Sequence, residues 1–230
     1  MVKVKSDQII LALDVDSAEE ALGWAKRFRG KVGIFKVGLQ LFLRAGEEVL
    51  TGLQRLDVPI FLDLKFHDIP KTVGQAVRAV ATWKPLLLTI HASGGKDMME
   101  AAVSFAPKET RVLGVTLLTS LSEKAVRASG WEAGVEATVE QLSDLARQSG
   151  LSGVVCSPHE AKKTRSSWGP KAEIVTPGVR LPGAQADDQA RSKSPFEAIA
   201  DGASRIVIGR PILTSADPET VLESILSESA

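Results

Sequence analysis

Three charged side chains interrupt an otherwise apolar stretch, Pro59-Ile60-Phe61-Leu62-Asp63-Leu64-Lys65-Phe66-His67-Asp68-Ile69-Pro70. A buried strand should carry only aliphatic residues there, because charge taken out of water is costly unless it is paired. Residues two apart on a strand share a face, so Asp63 and Lys65 point the same way, with Asp68 just past the strand end. An ammonium held protonated between carboxylates suits a general acid, and a fixed carboxylate repels an anionic group bound beside it. A structural ion pair that caps the strand accounts for the same three residues.

More charges fall at equivalent places. Asp14 closes the run Leu11-Ala12-Leu13-Asp14, and Lys36 sits late in Ile34-Phe35-Lys36-Val37-Gly38. Lys36, Asp63, Lys65 and Asp68 are expected to form an array of alternating sign, each charge offset by its neighbours. A second constellation lies nearer the C-terminus, where Ile174-Val175-Thr176-Pro177-Gly178-Val179-Arg180 and Ile206-Val207-Ile208-Gly209-Arg210 each end in a glycine turn and a guanidinium. Glycine lets backbone N–H groups approach phosphate oxygens, and arginine can grip them bidentately. Either motif alone reads as a tight turn with a solvated arginine; the pair together predicts a phosphate site. Thr119 and Ser120 offer hydroxyls to a polar ring, whereas His91 reads as a rim residue and His159 as a surface one. No His/Asp/Glu grouping has metal-ligand spacing, and lysines among the carboxylates argue against a divalent cation.

The elements that must hold these residues alternate along the chain. Short aliphatic runs predict strands over 8–14, 33–37, 60–65, 86–91, 111–118, 153–157, 173–176 and 205–209. Amphipathic stretches over 17–28, 39–53, 69–82, 97–105, 133–149, 158–166, 195–200 and 218–226 predict helices, the first opened by Ser17 and Glu20 in the manner of a capping box. Strict strand–helix alternation argues for a parallel sheet covered by helices. Eight such units predict a closed α/β barrel of the (β/α)8 TIM type, a single domain over residues 1–230. A doubly wound open sheet lacks its signal, since no G-x-G-x-x-G turn follows the first strand. In a barrel the active site lies at the C-terminal ends of the strands, and the loops after strands seven and eight hold phosphate. The polar linker 122–133 and the loop 181–194 are expected to act as lids.

The 230 residues are 44% hydrophobic and 24% charged, with 28 Lys+Arg against 28 Asp+Glu. Zero net charge offers no reason to expect nucleic acid or an anionic membrane as partner. One cysteine, Cys156, excludes an intrachain disulfide and reads as a small buried hydrophobe in a reducing compartment. No secretory h-region follows Met1, and no apolar run approaches bilayer length, so a soluble cytoplasmic protein is expected.

The run Asp63-Leu64-Lys65-Phe66-His67-Asp68-Ile69-Pro70 resembles the D-x-K-x-x-D-I-P motif of the orotidine 5′-monophosphate decarboxylases. The resemblance extends through Leu11-Ala12-Leu13-Asp14, Phe35-Lys36-Val37-Gly38, Val154-Val155-Cys156-Ser157, Thr176-Pro177-Gly178-Val179-Arg180, Asp188-Gln189 with Arg191, and Val207-Ile208-Gly209-Arg210, in the pattern of the bacterial branch. It implies a cofactor-free homodimer of barrels that converts orotidine 5′-monophosphate to UMP and CO2 in pyrimidine synthesis. It further implies that Lys65 protonates C6, that Asp63 lies against the substrate carboxylate, and that Lys36 contacts ribose and orients Asp63. Asp14 would bind ribose hydroxyls and Thr119 or Ser120 the pyrimidine. Arg180, Gln189, Gly209 and Arg210 would hold the phosphate, and Asp68, Ile69 and Thr72 would reach into the partner subunit's site. The nearest rival, a Mg²⁺-dependent sugar-phosphate decarboxylase or aldolase of the same superfamily, resembles this chain in D-x-K-x-x-D but carries a metal-binding Glu where Lys36 stands. A non-catalytic phosphate-ligand binder is a second rival.

Overall fold

The computed structural model describes residues 3–180 and 193–227. Its strands are β1 (Ile9–Ala12), β2 (Ile34–Gly38), β3 (Ile60–Phe66), β4 (Leu87–His91), β5 (Arg111–Val115), β6 (Gly153–Val155), β7 (Glu173–Thr176) and β8 (Arg205–Ile208). They close into one parallel barrel in sequence order, with β1 pairing both β2 and β8. All eight predicted strands form, most of them one to three residues shorter because the ladder stops where the chain turns outward.

Period-two alternation sorts each strand into two cores. Ile10, Ile34, Phe61, Leu87, Leu113, Val115, Val155 and Val175 fill the barrel interior, while Ile9, Leu11, Phe35, Leu62, Leu88 and their counterparts face the helices. The inner row has a direct consequence for function. Two residues further along the same inward face of a strand come Ala12 after Ile10, Lys36 after Ile34, Asp63 after Phe61 and Thr89 after Leu87. The apolar plug thus ends where the polar residues begin.

The helices that wrap the barrel are α1 (Ala18–Phe28), α2 (Leu39–Arg55), α3 (Pro70–Val80), α4 (Lys96–Phe105), α5 (Glu123–Ala128), α6 (Gly134–Gln148), α7 (Ala161–Trp168), α8 (Pro195–Ala200), α9 (Arg210–Leu213) and α10 (Pro218–Ser227). Ser17 Oγ caps α1 by accepting the Glu20 N–H at 3.2 Å. A full capping box appears instead at α8, where Ser194 and Glu197 exchange side-chain bonds to each other's backbone. Two short helices were not expected. Helix α5 lies inside the linker that was expected to act as a lid. Ser122 caps α5, Val126 is buried beneath it, and Glu123 accepts the Val135 N–H at the start of α6. One buried side chain per six residues leaves no apolar periodicity to read. Of the second expected lid, residues 181–192 lie outside the described residues. Among the described residues, no helix is long and apolar enough to cross a membrane.

Candidate active site

Four strands deliver the charged residues to one end of the barrel. Asp14 follows β1, Lys36 is in β2, Asp63 and Lys65 are in β3, and Thr89 with His91 is in β4. Lys65 Nζ lies 2.8 Å from both carboxylate oxygens of Asp63, and Thr89 Oγ1 donates to Asp63 Oδ1 at 2.9 Å. On the other side, Lys36 Nζ donates to Asp14 Oδ1 at 3.1 Å and stands 3.9 Å from Asp63 Oδ2. The result is an alternating line, Asp14–Lys36–Asp63–Lys65. The expected alternation holds over Lys36, Asp63 and Lys65, and Asp14 extends it beyond Lys36. Asp68 is exposed, its Oδ1 accepts the neighbouring Ile69 N–H at 2.7 Å, and among the described residues it makes no ion pair. The chain has turned outward by then, so Asp68 leaves the inward face.

Burial by itself would raise the pKa of Asp63, but Lys36, Lys65 and the bonds from Lys65 and Thr89 outweigh it and hold the carboxyl below its ordinary 3.8. Asp63 is therefore ionised at neutral pH and electrostatically satisfied from two sides. His91 moves below its ordinary 6.5 through burial, then through His67 and Lys65, which outweigh the opposing pull of Asp63. It is neutral at pH 7, with its ring 5.3 Å from that of His67. His159 is exposed, as expected, and Cys156 is buried.

Across the barrel mouth, the loops after β7 and β8 complete a cleft of about 430 Å³ that also takes in Asp14, Lys36, Asp63 and Lys65. That volume suits a nucleotide-sized ligand. Gly178 has φ +80, a conformation glycine enters without strain, and it turns the chain toward Arg180. A Cβ on Gly209 would meet Ala12 Cβ and Asp14 Oδ2, both at 3.2 Å, so only glycine passes here at full ease. Arg180 and Arg210 both line the cleft. Thr119 lines it as well, while Ser120 is exposed and does not. Gln189 lies outside the described residues, and Ile69 and Thr72 are exposed beside the mouth. Thr89 escaped the sequence reading; its one signal was a polar residue inside Leu86-Leu87-Leu88-Thr89-Ile90.

The donor set does not suit a divalent cation. Lys36 Nζ already occupies the space between Asp14 and Asp63, where its charge would repel a metal ion. Among the described residues, no three His, Cys, Asp or Glu side chains gather as a metal site. A separate groove between α6 and α7 is lined partly by Glu136, Glu140 and Lys163, but Lys163 is bonded to both carboxylates.

Fold and cleft together define a (β/α)8 barrel of the enzyme class that carries its site at the C-terminal ends of the strands, where this chain gathers its fixed side-chain charge. The chain belongs to the orotidine 5′-phosphate decarboxylase / HUMPS family, whose model matches residues 7–225. It is 44% identical over 228 residues to the orotidine 5′-phosphate decarboxylase of Trichlorobacter lovleyi, covering 96% of this chain and 95% of that one. It is 45% identical over 221 residues to that of Thermobifida fusca, covering 96% and 94%. A crystal structure of orotidine 5′-phosphate decarboxylase from Lactobacillus acidophilus matches with a TM-score of 0.81 at 35% identity, covering 94% of this chain and 96% of that one.

Proposed function

We propose that this protein decarboxylates orotidine 5′-monophosphate to UMP and CO2 without a cofactor, with Lys65 as the acid. The observation that carries this is the placement of Lys65 Nζ, bonded to both oxygens of an ionised Asp63 at the floor of a cleft whose far wall bears Arg180 and Arg210. The C6–carboxylate bond breaks, CO2 departs, and the electron pair stays on C6. No attached group can take up that charge, so the site must supply it. The Lys65 ammonium does so from fixed range and passes a proton to C6; solvent reprotonates the amine. Asp63 stands against the substrate carboxylate and adds a repulsion that CO2 loss relieves. Lys36 contacts the ribose and keeps Asp63 in place, and Asp14 binds ribose hydroxyls. Thr119 is favoured over Ser120 at the pyrimidine, because Thr119 lines the cleft.

Phosphate held by Arg180, Gln189, Gly209 and Arg210 lies remote from C6. Its binding energy serves alignment at the reacting carbon. The partner reading is a cytoplasmic homodimer with shared sites. Two features support the dimer: Leu39, Leu43, Ile69 and Leu118 are exposed large apolar side chains following strand ends, and Asp68, next to Ile69 in the chain, is exposed too. The deciding experiment is loss of the orotate absorbance on adding the protein to orotidine 5′-monophosphate, with and without EDTA. Turnover insensitive to EDTA is expected; activity that requires Mg²⁺ would instead support the sugar-phosphate rival.

A further inference from the structure

Among the described strand pairs, the ladder shifts register in one place, between β3 and β4. Between the pairs Leu62↔Leu88 and Phe66↔Ile90, the three residues Asp63, Leu64 and Lys65 stand against the single residue Thr89. A bulge leaves backbone groups without their ladder partners and re-aims the side chains it carries. Here it also forces Lys65 to φ +51, a left-handed conformation that a residue with a side chain keeps only when its surroundings hold it there.

Thr89 is what lies against that strain. Its side chain is fully buried, and Oγ1 accepts the Lys65 N–H at 3.0 Å while donating to Asp63 Oδ1 at 2.9 Å. A hydroxyl has one proton, so accepting from the amide directs that proton to the carboxylate. Threonine is also stiff at χ1, which keeps both bonds in direction. We infer that Thr89 is a positioning residue for the decarboxylation: its hydroxyl holds the bulge that aims Lys65 and fixes Asp63 beside it. This rests on the decarboxylase reading above. The bond from Thr89 is also one of the influences that keep Asp63 ionised.

The test compares wild type with Thr89→Val, Thr89→Ser and Thr89→Ala, in turnover of orotidine 5′-monophosphate and in binding of UMP. Valine keeps the shape and removes the hydroxyl, and kcat is expected to fall by roughly 10- to 100-fold. UMP affinity should change by less than about threefold, and serine should restore kcat to within about fivefold of wild type. The groups facing Asp63 are Lys65 on its own strand, Lys36 from β2 with Asp14 beyond it, Thr89 and His91 from β4. All but Thr89 remain in the valine variant, so losing one donor should move the acid limb of kcat/KM to higher pH. A valine variant with wild-type kcat and acid limb would overturn the inference, as would a serine variant as impaired as valine. Loss of UMP binding in the valine and alanine variants alike would overturn it too, by marking a scaffold role. A wild type that fails to decarboxylate the substrate would instead overturn the decarboxylase reading itself.

Discussion

Lys65 is useful because of what surrounds it. An isolated lysine on a barrel rim is a mobile cation; bonded at 2.8 Å to both oxygens of Asp63, it is a charge with a direction. Replacing it by alanine removes the ammonium bonded to both oxygens of Asp63 in the cleft, so Lys65→Ala should lower kcat by at least about 10⁴-fold while UMP still binds. Steady-state turnover with parallel UMP titration checks this. Asp63 gives a pH signature. Its folded pKa is depressed, so its contribution to stability is fully present above the unfolded value of about 3.9 and is lost as pH falls through the folded one. Asp63→Asn should therefore cost about 1–3 kcal/mol in urea unfolding at pH 7, with the gap narrowing below about pH 4. A gap that stays constant with pH would contradict this assignment of charge.

At the scale of elements, buried charge at one end of a strand does different work from buried charge at the other. Glu173, Arg111 and Arg205 begin β7, β5 and β8, and Glu173 is bonded to both arginines at the N-terminal mouth. That cluster is the structural ion pair that Asp63 and Lys65 could have been. The difference lies in the cleft: the C-terminal set opens onto the loops of β7 and β8. Arg210→Ala should weaken UMP binding by roughly 10- to 100-fold and uridine binding far less, as paired titrations would reveal. Close strand contact also limits side-chain size. A Cβ at Gly153 in β6 would overlap the Glu173 carbonyl of β7, so Gly153→Ala should cost about 1–3 kcal/mol, a melting shift of several degrees by calorimetry.

For the whole molecule, the catalytic end is also the end that exposes Leu43 at 80% and Ile69 at 65%. The proposed sharing of active sites between two subunits predicts complementation. Mixed Lys65→Ala and Asp68→Ala chains should regain up to about a quarter of wild-type turnover once subunits exchange, since a hybrid dimer holds one site with both residues intact. A mixture that stays inactive after proven exchange would assign both residues to the same chain's site.

The chain's own periodicities determined a great deal. Alternating aliphatic residues and amphipathic stretches are local signals, so all eight strands and eight of the helices were legible to within a few residues. The same alternation placed Asp63 and Lys65 on one face, and the glycine–arginine turns were legible because their residue types carry backbone consequences. Partners across strands were another matter. Asp14 joins the charged line beyond Lys36, and Thr89 meets Lys65, because closure sets β1 beside β2 and the bulge sets three residues of β3 against one of β4. Register between distant segments is fixed by the packing of the whole barrel, and no stretch of chain records it locally. The sequence by itself determined which residues carry the charge; the tertiary structure decided which of them touch.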